Sequence, residues 1–268
     1  MASLKIGGSI VSQLNILVLH RIVQDQVGEW ADVTLSMFDE LLSTAQNNHQ
    51  SITRIDHWHE TGQGQIALSF DDGHVSDYEM VLPRLQAHHA TATFFITPNF
   101  IGQAGYLSWY QVKQLHEAGM EIGSHSLSHP YSTTLSADQL LNEMQHSKDL
   151  IEQHIGADVK SFAYPYGDYS CQTHQVVRSA GYRYICTSKP GLCRMNSQIM
   201  GRNSINSNTS RQDIQKLLNP SRSNLLQQKI NYAIRYILKR SLGVNNYIKL
   251  KELIYSRGNA NTYYRQKK

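Results

Sequence analysis

Two like charges stand side by side in IALSFDDGH, residues 66–74, where Asp71 and Asp72 directly follow an apolar run that reads as a buried strand. Adjacent carboxylates repel, and neighbours on a strand point to opposite faces, so the pair cannot share a site while the strand continues. Gly73 permits a sharp turn that swings both carboxylates to one place, and a cation between them removes the repulsion. Alone, Asp-Asp-Gly also reads as a common turn, with one acid capping the next helix and the other solvated. A second group, GSHSLSHP at residues 123–130, spaces His125 and His129 four apart. On a helical turn that spacing puts both imidazoles on one side, which suits zinc or a similar divalent ion. It is not the zinc-protease motif, which needs Glu directly after the first histidine. Two histidines and one aspartate make three protein ligands with positions left open, the pattern of a catalytic metal site.

These residues need a scaffold that brings them together. Apolar runs of β type at residues 15–19, 66–70, 91–97, 121–124, 160–164, 182–187 and 199–202 alternate with helix-period segments. The clearest helix starts at Ser136, with Gln139 completing a capping box. It turns Leu140, Leu141, Met144, Leu150, Ile151 and Ile155 inward and stops at Gly156. Another runs from about Ser108 to Gly119. Such alternation predicts an α/β fold with a parallel sheet, and seven strands favour a closed or nearly closed barrel. In barrels of this kind chemistry sits at the C-terminal ends of the strands. His20, Asp71, Asp72, His125, His129, Pro165 and Tyr166 all follow strands and are expected at that one mouth.

The ordered trio SFDDG, HSLSH and FAYPYG resembles the polysaccharide deacetylase (NodB-homology) family, carbohydrate esterase family four, over roughly residues 16–210. The resemblance implies a distorted (β/α)7 barrel that removes acetyl groups from N-acetylated sugars with a divalent metal, zinc being the first candidate. It makes Asp71 the base, Asp72, His125 and His129 the metal ligands, and the Tyr166 backbone N–H a donor to the oxyanion. The family's Leu-x-His motif and its Asp/Trp motif have no counterpart after Tyr166. LVLH, with Leu17 or Leu19 before His20, resembles the first of these moved to the front, as in a circularly permuted branch, which makes His20 the acid candidate. The arginine that usually precedes Pro-Tyr is replaced by Phe162 and Ala163. Arg202 is a candidate substitute, beside the reading of it as a surface arginine. These departures leave open a deformylase, a hydrolase of another non-peptide C–N bond, or an inactive carbohydrate-binding barrel.

The 268 residues are read as a barrel over 1–220 and a basic helical extension over 221–268. No run of 18 apolar residues is present to span a bilayer. The first twenty residues do not read as a signal peptide, which predicts a cytoplasmic enzyme and argues against wall peptidoglycan, so a surface glycan or a lipid- or nucleotide-linked precursor is the expected substrate. Cys171, Cys186 and Cys193 show no ligand spacing and are expected to be reduced and in the core. In DHWHE, His57 and His59 precede the second strand and are expected in a solvated loop at the wrong end for the mouth, while His88 and His89 close a helix. From Ser221 onward eleven Lys and Arg face a single acid, Glu252, so the extension carries +10 of a total of +4 and the remainder is at −6. Leu226, Ile230, Ala233, Ile234, Ile237 and Leu238 recur there at helical spacing, with Lys229, Arg235, Lys239 and Arg240 on other faces. The stripe is expected to lie on the barrel, with peripheral contact to an anionic membrane face as the alternative. No nucleic-acid-binding fold or aromatic platform accompanies the charge.

Overall fold

Strand phase builds the sheet from short, largely buried segments. The computed structural model describes residues 5–6, 9–10, 13–57, 65–194 and 197–256. Six parallel strands neighbour one another in chain order: β1 (Gln13–Leu19), β2 (Gln65–Asp72), β3 (Thr93–Ile96), β4 (Glu121–Ser124), β5 (Ser161–Ala163) and β6 (Tyr184–Cys186). Ser51–Thr53 pairs the lower half of β2, below the point where β3 takes over.

The seventh position is split. Leu192–Arg194 runs antiparallel along the start of β1, and β7 (Asn203–Ser204) runs parallel along its end. Met200 bridges in parallel to Cys186 of β6, its amide donating to Ile185 O at 2.7 Å while Thr187 N donates to Met200 O at 2.8 Å. The segment 200–204 thus reaches from the last strand to the first and closes a distorted (β/α)7 barrel. A continuous strand over 199–202 is therefore corrected. Arg202 N donates to Lys189 O at 3.0 Å, and a Cβ on Gly201 would stand 2.4 Å from that same oxygen. Glycine there lets the two backbones approach closely just before Arg202, whose side chain is buried in the barrel.

Residues alternate between two clusters. Leu14, Ile16, Ala67, Phe95, Ala163, Tyr184 and Cys186 fill the barrel, whereas Leu17, Leu19, Ile66, Leu68, Phe70, Phe94, Ile96, Phe162 and Ile185 face the helices. Helix α1 (Leu35–Asn47) buries Phe38, Leu41 and Leu42, and α2 (Leu82–Ala87) continues from a π-helical turn at Asp77–Val81. Capping boxes at Ser108 and Ser136 start α3 (Trp109–Glu117) and α4 (Ala137–Ile155), and Gly156 at φ 73° ends α4. Ser147 takes an inward place on α4, with its hydroxyl 2.7 Å from Ser124 Oγ, while Leu141 and Leu150 are only partly buried. Next come α5 (Cys171–Ser179), α6 (Arg211–Leu218) and α7 (Arg222–Ser256), which loses helical geometry at Gly243. Cys186 and Cys193 are buried as expected, but Cys171 opens α5 and is exposed.

The floor of the barrel holds a buried acid. Glu121 accepts from Ser161 Oγ, from Thr93 Oγ1 at 2.5 Å and from Asp56 N at 3.2 Å. Burial pushes its pKa up from 4.5 to about 7. Within that window the native state holds a proton that the unfolded chain releases, so stability falls as pH rises from 4.5 through about 7. Glu121→Gln mimics the protonated form. It is expected to gain on the wild type by a few kcal/mol across this window in denaturant titrations, whereas parallel pH curves would refute the assignment.

On α7 the outcome departs from expectation. Leu226 is 60% exposed, Ile234 52% and Ile237 60%, with Ile230 and Leu238 also exposed. The helix instead turns its polar side inward, where Asn224, Leu225, Gln228 and Tyr232 are partly buried.

Candidate active site

Phase sends the Ala67, Ser69 and Asp71 side chains into the barrel and would send Asp72 outward. A φ of 77° at Asp72 reverses this, and Gly73 follows at the same angle. The turn thus begins at Asp72 itself, and β2 runs through both aspartates instead of stopping at Phe70. Positive φ in a residue with a Cβ costs roughly 1–2 kcal/mol. Among the described residues six non-glycines carry it, and four of these, Asp72, Ser126, His129 and Tyr166, stand at this mouth. Strain concentrated in one place is held by surrounding structure, as at functional sites.

His125 continues β4, with its amide donating to Ile96 O at 2.8 Å and its Nδ1 lying 2.7 Å from Ala163 O. A carbonyl only accepts, so Nδ1 bears the proton and Nε2 presents a lone pair. Burial pushes the His125 pKa down to about 4 against the pull of Asp71, so the ring is neutral at neutral pH. His129 lies on an irregular loop and not on a helical turn, which corrects the expectation from spacing. Ser126 Oγ accepts from His129 N at 3.0 Å, and Glu143 of α4 accepts from Leu127 N at 3.0 Å, Ser128 N at 2.9 Å and Ser128 Oγ at 2.7 Å.

Asp72 Oδ1 lies 3.6 Å from His125 Nε2 and 3.2 Å from His129 Nε2. This oxygen is buried and has no hydrogen-bond partner among the described residues. A lone pair facing an orphaned carboxylate oxygen is repulsive unless positive charge lies between them. One donor atom from each of Asp72, His125 and His129 falls within 4.8 Å of the others. Two imidazoles and a carboxylate so arranged fit a divalent cation with open positions. Burial alone would raise the pKa of Asp72, but the close imidazoles of His129, His74 and His125 together hold it well below the usual range.

Asp71 is gripped differently. Arg202, 1% exposed, meets it with both prongs of the guanidinium, Nη1 to Oδ1 at 2.6 Å and Nη2 to Oδ2 at 2.8 Å. The same arginine donates to Ser69 Oγ at 3.2 Å and Thr187 O at 3.3 Å and lies over the Phe95 ring. It is no surface arginine. Burial would raise the pKa of Asp71, yet Arg202, together with His125 and His20, keeps it below the ordinary carboxylate value. A depressed carboxylate stabilises the fold above its unfolded pKa, and that stabilisation is lost as pH falls through the lower folded value. Arg202→Met is expected to cost about 3–5 kcal/mol at neutral pH in urea unfolding, with the loss shrinking on acidification as Asp71 takes a proton. A loss independent of pH would contradict the pairing.

The Leu19–Phe70 register sets His20 beside Asp71. Its Nδ1 is buried without a hydrogen-bond partner among the described residues. Burial lowers its pKa, and Asp71 and Asp72 offset part of that. Tyr166 sits between Pro165 and Gly167 in left-handed geometry. Its ring stacks on Tyr131 at 4.0 Å and meets the His129 ring at 4.6 Å.

Two residues escaped the sequence reading. His74 Nε2 approaches Asp72 Oδ2 to 3.7 Å while its ring stacks on Tyr106. Asp77 is fully buried with neither carboxylate oxygen hydrogen-bonded among the described residues, and burial reinforced by Asp72 and Asp71 raises its pKa well above normal. A polar residue in the first turn of a helix reads as a cap, so no sequence signal marked Asp77. Of the histidines read as outside the mouth, His57 is exposed at the barrel floor, in a short 3₁₀ turn with Arg54 at 2.8 Å, and His88 follows α2. His59 lies outside the described residues.

Residues 59–185 match the family model for polysaccharide deacetylase. The peptidoglycan-N-acetylglucosamine deacetylase of Bacillus cereus is 32% identical over 124 residues, 46% of this chain and 56% of that protein. The peptidoglycan-N-acetylmuramic acid deacetylase PdaA of Bacillus subtilis is 30% identical over 127 residues, 47% of each. The chain spans about half the length of the curated relatives it matches. Among solved structures, the Streptococcus pyogenes deacetylase PplD in complex with acetate superposes with a TM-score of 0.72 at 22% identity, over 78% of this chain and all of that one. IcaB from Ammonifex degensii gives 0.68 at 19% identity, over 77% of this chain and 97% of its own.

Proposed function

We propose that this chain, whose residues 59–185 match the polysaccharide deacetylase family model, removes N-acetyl groups from an amino sugar in a glycan or glycan precursor. The observation that carries this reading is Asp72 Oδ1, orphaned between two histidine nitrogens and one residue from an arginine-clamped aspartate.

Asp72, His125 and His129 would hold the metal. Bound there, a divalent cation, zinc first, would supply a Lewis acid for the acetyl carbonyl and bring the pKa of its water to about 7. Asp71 takes the proton of the attacking water. Its bidentate clamp fixes the carboxylate and keeps it ionised, so that it enters each cycle as a base. The Tyr166 backbone N–H, in left-handed geometry at this mouth, serves as the donor to the developing oxyanion. His20 protonates the departing sugar nitrogen, since an amine anion is too poor a leaving group to depart bare. The unpartnered Nδ1 of His20 and its place beside Asp71 support this role. In this reading the front-placed Leu-x-His motif does the work of the missing C-terminal one.

A panel of N-acetylated and O-acetylated oligosaccharides tests the reading. Acetate and free amine are expected in equal amounts from the N-acetylated members. Acetate without amine, or formate from an N-formyl sugar in preference to acetate, would overturn it.

A further inference from the structure

The first leg of α7, residues 222–242, is amphipathic the wrong way round for a helix packed on a barrel. At 100° per residue, Leu226, Ile230, Ala233, Ile234, Ile237 and Leu238 fall in one stripe, and all are exposed. Leu225, Gln228 and Tyr232 fall on nearly the opposite side and are the partly buried ones. Lys229 marks the edge of that inner side, its Cε 3.7 Å from where a Cβ on Gly191 would stand. Of the ten large apolar residues most exposed among the described ones, seven lie between Leu226 and Leu242, so the exposure is one patch and not scatter. Contiguous exposed apolar surface of this kind marks an interaction site.

Charge decides between occupants. The extension carries eleven basic residues against one acid, so a second copy would bring the same excess positive charge to the contact. An anionic lipid surface complements it: aliphatic side chains enter the acyl boundary while lysines and arginines meet the headgroups. We propose that α7 attaches the barrel to an anionic bilayer surface, lying in the interface with the Leu226–Leu238 stripe inserted. This does not rest on the deacetylase reading, because attachment is read without turnover.

The test is co-sedimentation of the full chain with vesicles of phosphatidylcholine alone and of phosphatidylcholine mixed with phosphatidylglycerol. The chain is expected to pellet with the anionic vesicles and remain largely in solution with the neutral ones. The double variant Ile230→Glu/Ile234→Glu is expected to partition at least about a hundredfold more weakly, since burying each large aliphatic side chain is worth about a factor of ten or more. Both positions are exposed, so the melting curve of the variant is expected to match that of the wild type. No pelleting with anionic vesicles would overturn the proposal. So would equal pelleting of the double variant, which would mean charge attraction alone. A dimer in light scattering that the double variant dissolves would assign the stripe to a second copy and overturn it as well.

Discussion

Asp71→Asn is expected to lower kcat for N-deacetylation by about 10²–10⁴ while bound metal stays at the wild-type level. Asparagine keeps the shape of the side chain and one acceptor for the guanidinium but cannot accept the proton of the attacking water. Asp71 lies 3.9 Å from His125 Nε2, whereas Asp72 faces both histidines more closely, so removing the Asp71 charge leaves the ligand set in place. Arg202 keeps Ser69 and Thr187 as acceptors, and the variant is expected to fold, with a lower melting temperature. Loss of metal from this variant would show that the two aspartates have exchanged roles.

Asp72→Ala is expected to weaken metal affinity by at least about a hundredfold, more than the 10–100-fold typical of a group that merely orients a ligand, and to bring turnover to background. Removal of Asp72 also takes away a repulsive charge acting on Asp77 and the anionic neighbour of His129 and His74. Metal content after dialysis, measured by atomic emission beside acetate release, checks both effects. Wild-type metal content with no turnover would assign Asp72 to proton transfer and not to the metal.

The sequence carried much of this site because the relevant residues cluster at strand ends. Apolar runs located β1 to β6, and SFDDG, HSLSH and FAYPYG put Asp71, Asp72, His125, His129 and Tyr166 directly after them. The partner of Asp71 was harder to read, since Arg202 lies 131 residues away, just after the close backbone approach at Gly201. Period-two reasoning also failed where backbone geometry departs from a regular strand. It assigned the turn to Gly73 alone, whereas Asp72 itself takes a positive φ. Spacing of four suggested a helical turn for His125 and His129, yet a loop tied down by Glu143 achieves the same convergence. On α7 the helical period was legible, but period alone cannot say which face meets the barrel. The partly buried Gln228 and Tyr232 show that the polar side does.

Asp72, His125 and His129 are proposed to hold the cation on which amide hydrolysis depends. The decisive measurement is acetate release from an N-acetylglucosamine oligomer by protein stripped with a chelator and dialysed, then titrated with zinc. The expected result is no release from the stripped protein and recovery that saturates near one zinc per chain, with no recovery for Asp72→Ala. Undiminished release from protein shown to be metal-free would contradict the account.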